Sequence, residues 1–208
     1  MRYYAELQPA PPNMPQVTRN PPVIRGGDLT TLPNIVSLAR IAGVLVSVSL
    51  YLTGHRLVSV VIGLLACLTD HLDGYLARRL NQETVLGAML DQAADSITTA
   101  LALGMLVVAA DLPFIFLAVF LMREFWVGTV RRYAALEGVE IPSIVAGKVA
   151  TATIYWAAFL LAVAMVPEMP QGLVAPLRGI AIGGLVAGLG LSCFAGWRYT
   201  MSLTGVRA

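Results

Sequence analysis

Long runs of hydrophobic residues, separated by short polar breaks, make up most of the chain after its first 30 residues. Each run is close to the roughly 20 residues that an α-helix needs to cross a bilayer. Lipid offers no partner to backbone N–H and C=O groups, so a spanning segment must be a helix or part of a closed barrel. We therefore expect an all-α, polytopic membrane protein with six transmembrane helices in one bundle: Asn34–Leu52, Leu57–Arg79, Val85–Ala109, Leu112–Ala135, Gly147–Val166 and Leu173–Trp197.

The first 30 residues have a different character. They are polar, rich in proline, and lack the apolar stretch of a signal peptide. Such a segment cannot bury enough apolar surface to fold alone. The pattern predicts a flexible cytosolic tail over residues 1–30 and a single transmembrane domain over residues 31–208.

Composition supports a membrane protein. Hydrophobic residues make up 57% of the chain and charged residues only 12%, whereas soluble domains average about 45–50% and about 25%. So few charges could hardly cover a water-exposed surface. The formal net charge of +2 gives no reason to expect a nucleic acid partner.

The distribution of basic residues predicts the orientation of the helices. Cytoplasmic ends of membrane spans carry an excess of lysine and arginine. With six spans, one side would hold only Arg56 and Arg178. Both termini and the following residues would lie on the other, cytosolic side of the cell membrane: Arg2, Arg19, Arg25, Arg78, Arg79, Arg131, Arg132, Lys148, Arg198 and Arg207.

Four aspartates lie in the second and third predicted spans, where an ionisable side chain indicates function unless a partner explains it. Asp70 and Asp73 share one helix face, and Asp91 and Asp95 share another. A short polar turn between these spans predicts antiparallel packing, so both acidic faces would meet near the cytosolic boundary. Four carboxylates would repel unless cations joined them, and Mg²⁺ or Mn²⁺ prefer such oxygen ligands together with phosphates.

Small and basic residues accompany the aspartates. Gly74, Ala77 and Gly87 fall on the same faces and leave room for a bulky ligand, and Arg78 can contribute positive charge to a phosphate. The pattern therefore predicts a two-metal site for phosphoryl chemistry.

Other interpretations stay open on spacing alone. Each aspartate could be paired with an arginine, for example Arg40 or Arg123. An ion-coupled transporter would also carry membrane carboxylates, although we expect those at the bilayer centre, in broken helices with inverted repeats. A membrane scaffold is a third class, since Gly184 and Gly188 form a small-residue face suited to helix association.

The full spacing is Asp70-x2-Asp73-Gly74-x2-Ala77-Arg78-x8-Gly87-x3-Asp91-x3-Asp95. It resembles, at every position, the signature of the CDP-alcohol phosphatidyltransferases. The resemblance implies a homodimer in the lipid bilayer whose site opens to the cytosol, with metal ions on the aspartates holding the pyrophosphate of CDP-diacylglycerol and CMP as the leaving group. It further implies that Asp95 is the general base and that the nucleotide pocket is formed by Asp73, Gly74, Ala77, Arg78 and Gly87.

The acceptor alcohol is indicated by other segments. Residues 32–40 resemble the start of bacterial phosphatidylglycerophosphate synthases, whose acceptor is sn-glycerol 3-phosphate. Arg123, Arg131 and Lys148 would then bind the acceptor phosphate, an assignment that agrees with their predicted cytosolic side. These synthases commonly have proline and lysine where this chain has Gln92 and Ser96. A CMP-forming cardiolipin synthase and enzymes using inositol phosphate or serine remain alternatives.

Overall fold

A computed structural model describes residues 32–67, 85–109, 111–136 and 144–205 of the chain. Within these ranges the regular structure is entirely helical, as predicted. The helices are α1 (Leu32–Leu52), α2 (described over Arg56–Cys67), α3 (Val85–Val108), α4 (Phe114–Leu136), α5 (Val145–Ala164) and α6 (Gln171–Gly205). The predicted tail over residues 1–30 lies outside the described residues.

Four of the predicted spans match their helices to within about two residues at each end. The exception at the C-terminus is α6, which continues past Trp197 to Gly205. The predicted span ends at Trp197, but the helix continues through a more polar segment, residues 198–205. Hydrophobicity alone therefore predicted the span and missed the end of the helix.

Three of the described helices are long and apolar enough to cross a membrane by themselves, over Ile35–Leu52, Val145–Ala164 and Gln171–Met201. The predicted spans in α3 and α4 do not meet that standard. Asp91 and Asp95 lie in α3, and α4 carries Arg123, Glu124 and further arginines. Because most of these polar side chains line an internal cavity, the two helices have fewer apolar positions than lipid-facing spans need.

The helices pack around α3, which contacts α1, α4 and α5, while α6 lies along α5 and α4. Their shared core contains large side chains that are almost fully buried. Apolar burial of this kind is non-directional, so it sets the packing of the helices while polar contacts fix their register. The core includes Tyr51, Leu103, Leu106, Phe120, Ile154, Leu161 and Leu185.

A close approach between α5 and α6 uses the small-residue face that the sequence analysis singled out. A Cβ at Gly188 would lie 2.8 Å from Cγ1 and 3.1 Å from the backbone nitrogen of Ile154. A Cβ at Gly184 would lie 3.0 Å from that of Ala157. The face therefore packs within this chain, which removes the observation that favoured a scaffold subunit.

One end of the helical assembly is held by a polar cluster that we call the loop clamp, made of Tyr51, Arg56 and Asp111. The Tyr51 hydroxyl donates to Asp111 Oδ2 at 2.9 Å, and Arg56 Nη1 lies 3.2 Å from the same oxygen. Arg56 also donates to the carbonyl of Met165 at 2.9 Å. The clamp joins the α1–α2, α3–α4 and α5–α6 connections. In the first of these, Gly54 has a φ of 94°, a conformation that favours glycine.

Candidate active site

A cavity of about 750 Å³, which we call the central cavity, is lined by residues of all six helices. It lies away from the loop clamp, because its lining residues are remote from the helix ends that the clamp joins, as shown by Arg40 in α1, Cys67 in α2 and Tyr199 in α6. Cavities of this volume accommodate small-molecule ligands. Its charged lining consists of Arg40, Asp91, Asp95, Arg123, Glu124, Arg131 and Lys148.

Two of the four predicted metal-binding aspartates line one side of the central cavity. Asp91 and Asp95 lie one turn apart on α3, and their side chains are 51% and 46% exposed. Asp95 lies near the middle of α3, one turn further from the start of the helix than Asp91.

Arg40 of α1 bridges these two carboxylates. Its Nη2 lies 2.8 Å from Asp91 Oδ1 and its Nη1 lies 2.7 Å from Asp95 Oδ1. The Arg40 side chain is only 3% exposed. The arginine pairing considered as an alternative from the sequence is thus present for both aspartates. It offsets their mutual repulsion and orients them, yet leaves each carboxylate about half exposed to the cavity.

The opposite side of the central cavity is basic. Arg123 of α4 forms an ion pair with its neighbour Glu124 and donates from Nε to the carbonyl of Ser192 at 3.3 Å. Glu124 also accepts a hydrogen bond of 2.7 Å from Ser96 of α3. A glutamate therefore compensates the charge of Arg123.

Arg131 is held by an aromatic side chain. Its guanidinium lies over the ring of Tyr199, 5.0 Å from the centroid, and its Nη2 donates to the Tyr199 hydroxyl at 3.2 Å. The same hydroxyl accepts the backbone N–H of Ile144 at 2.9 Å. Tyr199 is 2% exposed, so α6 fixes both Arg131 and the start of α5.

Lys148 and Arg131 provide positive charge that the described residues do not neutralise. Within the described part of the chain, no carboxylate lies within ion-pair distance of either side chain. Gly147 beside Lys148 is buried, and a Cβ there would lie 3.4 Å from the Tyr199 hydroxyl and 3.8 Å from Arg123 Nη2. The two cations thus line a cavity whose other wall carries exposed carboxylates.

The other predicted site residues belong to the second predicted span and to the start of α3. Asp70, Asp73, Gly74, Ala77 and Arg78 lie outside the described residues, and Gly87 lies in the first turn of α3. Among the described residues there is no cluster of three or more His, Cys, Asp or Glu side chains that could hold a metal ion. Asp91 and Asp95 form half of the predicted set. Their half-exposed carboxylate oxygens are the donor type that hard divalent cations take.

Sequence reasoning missed the role of Tyr199. This residue follows the apolar run of α6 and looks like an ordinary aromatic residue at a membrane interface. Its contact with Arg131 spans 68 positions along the chain, and no periodicity within one helix reports such a distance. The bridging geometry of Arg40 could have been anticipated only in outline, as one of two candidate partners.

Comparison with known proteins gives a consistent result. Residues 30–190 match the family described as CDP-alcohol phosphatidyltransferase. A CDP-diacylglycerol–glycerol-3-phosphate 3-phosphatidyltransferase of Rickettsia bellii is 35% identical over 114 residues, 53% of this chain and 63% of the relative. A probable phosphatidylglycerophosphate synthase of Mycobacterium tuberculosis is 37% identical over 131 residues, 59% of this chain and 61% of the relative.

One similar protein carries a different name. A CMP-forming cardiolipin synthase of Oryza sativa is 31% identical over 180 residues, which is 78% of this chain and 55% of the rice protein. In each of these three comparisons the chain spans less than two thirds of the relative's length.

Proposed function

Because this chain belongs to the CDP-alcohol phosphatidyltransferase family, we propose that it transfers a phosphatidyl group from CDP-diacylglycerol to sn-glycerol 3-phosphate in phospholipid biosynthesis. CMP is the second product. The observation that carries the proposal is the central cavity, which is lined both by half-exposed carboxylates of α3 and by Arg131 and Lys148, two cations that no described carboxylate pairs. Such a cavity can hold a metal-bound diphosphate on one side and a phosphorylated alcohol on the other.

The donor side of the proposed site is acidic. Asp91 and Asp95, together with Asp70 and Asp73, would hold two Mg²⁺ or Mn²⁺ ions. When bound, the ions supply positive charge that neutralises the diphosphate and the departing CMP. The family resemblance assigns the nucleotide to Asp73, Gly74, Ala77, Arg78 and Gly87. Arg40 holds one oxygen of each of the Asp91 and Asp95 carboxylates and so fixes both on the cavity wall.

Asp95 is the proposed general base. The oxygen of the acceptor hydroxyl forms a bond to the lipid-linked phosphorus of CDP-diacylglycerol, and the bond from that phosphorus to the bridging oxygen breaks. CMP leaves with this oxygen, while the hydroxyl proton passes to the Asp95 carboxylate. A positioned base typically contributes about 10²–10⁴-fold to such a step. Asp95 is suited to it because its half-exposed side chain lies on the cavity wall.

The acceptor phosphate is assigned to the basic side. A phosphomonoester carries close to two negative charges at neutral pH, and Arg131 and Lys148 offer two charges without a carboxylate partner among the described residues. Tyr199 holds the Arg131 guanidinium in place before the ligand binds, and this preorganisation lowers the entropy cost of binding the acceptor phosphate. Arg123 also lines the cavity, but its charge is compensated by Glu124. We therefore assign it a smaller contribution to binding the acceptor phosphate.

The second candidate is a CMP-forming cardiolipin synthase, which the rice relative favours because it aligns over the largest share of this chain of the three described. Its acceptor, phosphatidylglycerol, carries a single phosphodiester charge. One unpaired cation would suffice for that charge, whereas the described lining of the central cavity has two. Charge matching therefore favours the phosphomonoester, glycerol 3-phosphate.

The proposal extends to the setting of the enzyme. We place all six helices across the cytoplasmic membrane, with both termini and the mouth of the central cavity on the cytosolic side, in keeping with the distribution of lysine and arginine. We also assign it a homodimeric state on the basis of the family resemblance. Cysteine crosslinking and accessibility labelling on intact cells would test both assignments.

An acceptor screen tests the proposed function. Purified full-length protein receives CDP-diacylglycerol, Mg²⁺ or Mn²⁺, and in turn glycerol 3-phosphate, phosphatidylglycerol, inositol phosphate or serine, and CMP release is measured. We expect glycerol 3-phosphate to react fastest, and EDTA to abolish the reaction until Mg²⁺ or Mn²⁺ is restored. Reaction with phosphatidylglycerol alone would establish the cardiolipin synthase. Full turnover in metal-free buffer would exclude the two-metal site.

A further inference from the structure

Thr98 of α3 is a buried hydroxyl that the proposed chemistry does not use. The residue is 4% exposed, and within the described part of the chain its Oγ1 has no hydrogen-bond partner. It nevertheless lines the central cavity. Buried hydroxyl groups are almost always hydrogen-bonded, and each exception calls for an explanation.

Other threonines in the described helices make a hydrogen bond that Thr98 does not make. A threonine in a helix can donate to the carbonyl four residues earlier and so satisfy its hydroxyl without outside help. Five threonines in the described helices do so, at distances between 2.8 and 3.1 Å: Thr99, Thr129, Thr151, Thr153 and Thr200. Thr98 has the same opportunity and does not use it, so its hydroxyl is available to a group in the cavity.

Thr98 also marks a boundary between polar and apolar surroundings. A smaller cavity of about 50 Å³ shares Thr98 and Tyr155 with the central cavity. Apolar side chains form most of its lining, among them Val44, Met105 and Phe159. Its two serines, Ser47 and Ser59, already bond to one another's carbonyls and hydroxyls.

We propose that Thr98 donates a hydrogen bond to an ester carbonyl of the donor lipid and so selects diacyl over dialkyl donors. This inference rests on the proposed function, since it needs a donor whose diphosphate lies at Asp91 and Asp95. Thr98 follows Asp95 by three residues on the same face of α3, about 4.5 Å further along the helix. In a diacylglycerol lipid, an ester carbonyl lies only a few bonds from the phosphate, and the acyl chains follow it. The cavity wall has the matching order, with the carboxylates first, then Thr98, and then the apolar lining of the smaller cavity.

The chemistry of the ligand allows a sharp test. An ester carbonyl accepts a hydrogen bond, whereas the ether oxygen of a dialkyl lipid is a weaker acceptor in a different position. Full-length enzyme in lipid nanodiscs is given CDP-diacylglycerol or its dialkyl ether analogue, and the donor KM and the donor affinity without acceptor are measured. Wild type should prefer the ester by about 2- to 10-fold, the range of one neutral hydrogen bond.

Thr98→Val removes the hydroxyl and keeps the shape of the side chain. We expect it to lose the ester preference by weakening binding of the ester donor alone, with kcat unchanged. Thr98→Ser restores a hydroxyl and should restore the preference, which also controls for misfolding of the valine variant. Thr99→Val is the matched control, because Thr99 lines the same cavity but donates to the Asp95 carbonyl; its ester preference should equal that of wild type.

The outcomes separate this inference from the proposed function. If wild type releases CMP equally well from both donors, or if Thr98→Val keeps the ester preference, the role assigned to Thr98 is wrong while the enzyme assignment stands. If no donor of either kind yields CMP with any acceptor, the proposed function itself has failed. Loss of the preference in Thr99→Val as well would show a general disturbance of α3 and would also overturn the assignment.

Discussion

Two arginine–aspartate clusters lie at opposite ends of this protein and differ in one respect. In the loop clamp, Asp111 accepts from both Tyr51 and Arg56, and its side chain is 11% exposed. In the central cavity, Arg40 bridges Asp91 and Asp95, whose side chains remain about half exposed. Both clusters contain arginine–aspartate ion pairs, at 3.2 Å in the clamp and at 2.7 and 2.8 Å in the cavity, so the presence of such a pair does not distinguish a structural carboxylate from one that can bind a ligand.

The exposure of the carboxylate makes that distinction. Protein donors surround Asp111, and a ligand would have to displace them, whereas Arg40 approaches Asp91 and Asp95 from the buried side only. A buried ion pair is weak evidence for stability in itself, because desolvation opposes the attraction between the charges. An arginine that is buried behind exposed carboxylates is better understood as a support that fixes them in place for a ligand.

The largest difference in CMP release should be seen between two variants that each replace one aspartate, Asp95→Asn in the central cavity and Asp111→Asn in the loop clamp. Asp95→Asn removes the proposed base but keeps an oxygen for Arg40, so we expect CMP release to fall by about 10²–10⁴-fold while CDP-diacylglycerol binding is largely kept. Asp111→Asn should lower the melting temperature and leave the activity of the folded enzyme unchanged. Activity, donor affinity and thermal unfolding in detergent are measured on both variants.

Asp91→Asn provides the internal reference for that experiment. We expect it to lose metal-dependent nucleotide binding, since it is assigned to metal alone. If Asp95→Asn loses donor binding as completely as Asp91→Asn, then Asp95 is chiefly a metal ligand and another group removes the proton. If Asp111→Asn impairs catalysis as severely as Asp95→Asn, the division between the two clusters is mistaken.

A smaller effect should follow at the basic wall of the central cavity. Arg131→Gln removes a charged hydrogen bond of about 1.5–3 kcal/mol, so the KM for glycerol 3-phosphate should rise about 10- to 100-fold with little change in the donor KM. Arg132→Gln is the matched control, because Arg132 is its exposed neighbour on α4 and does not line the cavity. Equal effects of the two changes on the acceptor KM would indicate general attraction of anions instead of a binding contact.

The smallest effect should be seen in the clamp. Tyr51→Phe removes one hydrogen bond to Asp111 and leaves the Arg56 ion pair in place, so the free energy of unfolding should fall by about 0.5–1.5 kcal/mol. Both KM values and kcat should stay as in wild type. A changed acceptor KM would show that the clamp and the central cavity are coupled through the helices, and the two clusters would then not be independent.

The all-helical fold was predictable because long apolar runs with short polar breaks predict helices. The runs located the described helices well, but they could not show that α3 and α4 turn polar side chains inward, since hydrophobicity averages over all faces of a helix. They also could not tell what the small-residue face of Gly184 and Gly188 packs against. Its spacing predicts close approach to a helix, and the partner proved to be Ile154 and Ala157 of the same chain.

The site was predictable to the extent that its residues lie on one helix face or carry charge. Spacing brought Asp91 and Asp95 together, and the positive-inside pattern put Arg131 and Lys148 on one side, where they line the same cavity. Tyr199 and Thr98 escaped notice, because their roles depend on contacts between distant helices and on a hydrogen bond that is not made. No local pattern in a sequence records either.

The length of α6 links the geometry of the candidate site to the thickness of the surrounding bilayer. Its 35 residues make a rod about 52 Å long, whereas the hydrocarbon layer of a typical bilayer is about 30 Å thick. Such a rod meets a thinner or thicker membrane by changing its tilt. Tyr199 lies near the end of this rod and holds Arg131 and the start of α5, so leaning of α6 would displace both. We therefore expect the affinity for the phosphorylated alcohol to vary with the acyl-chain length of the host lipid, so that the proposed activity would respond to the thickness of the surrounding membrane.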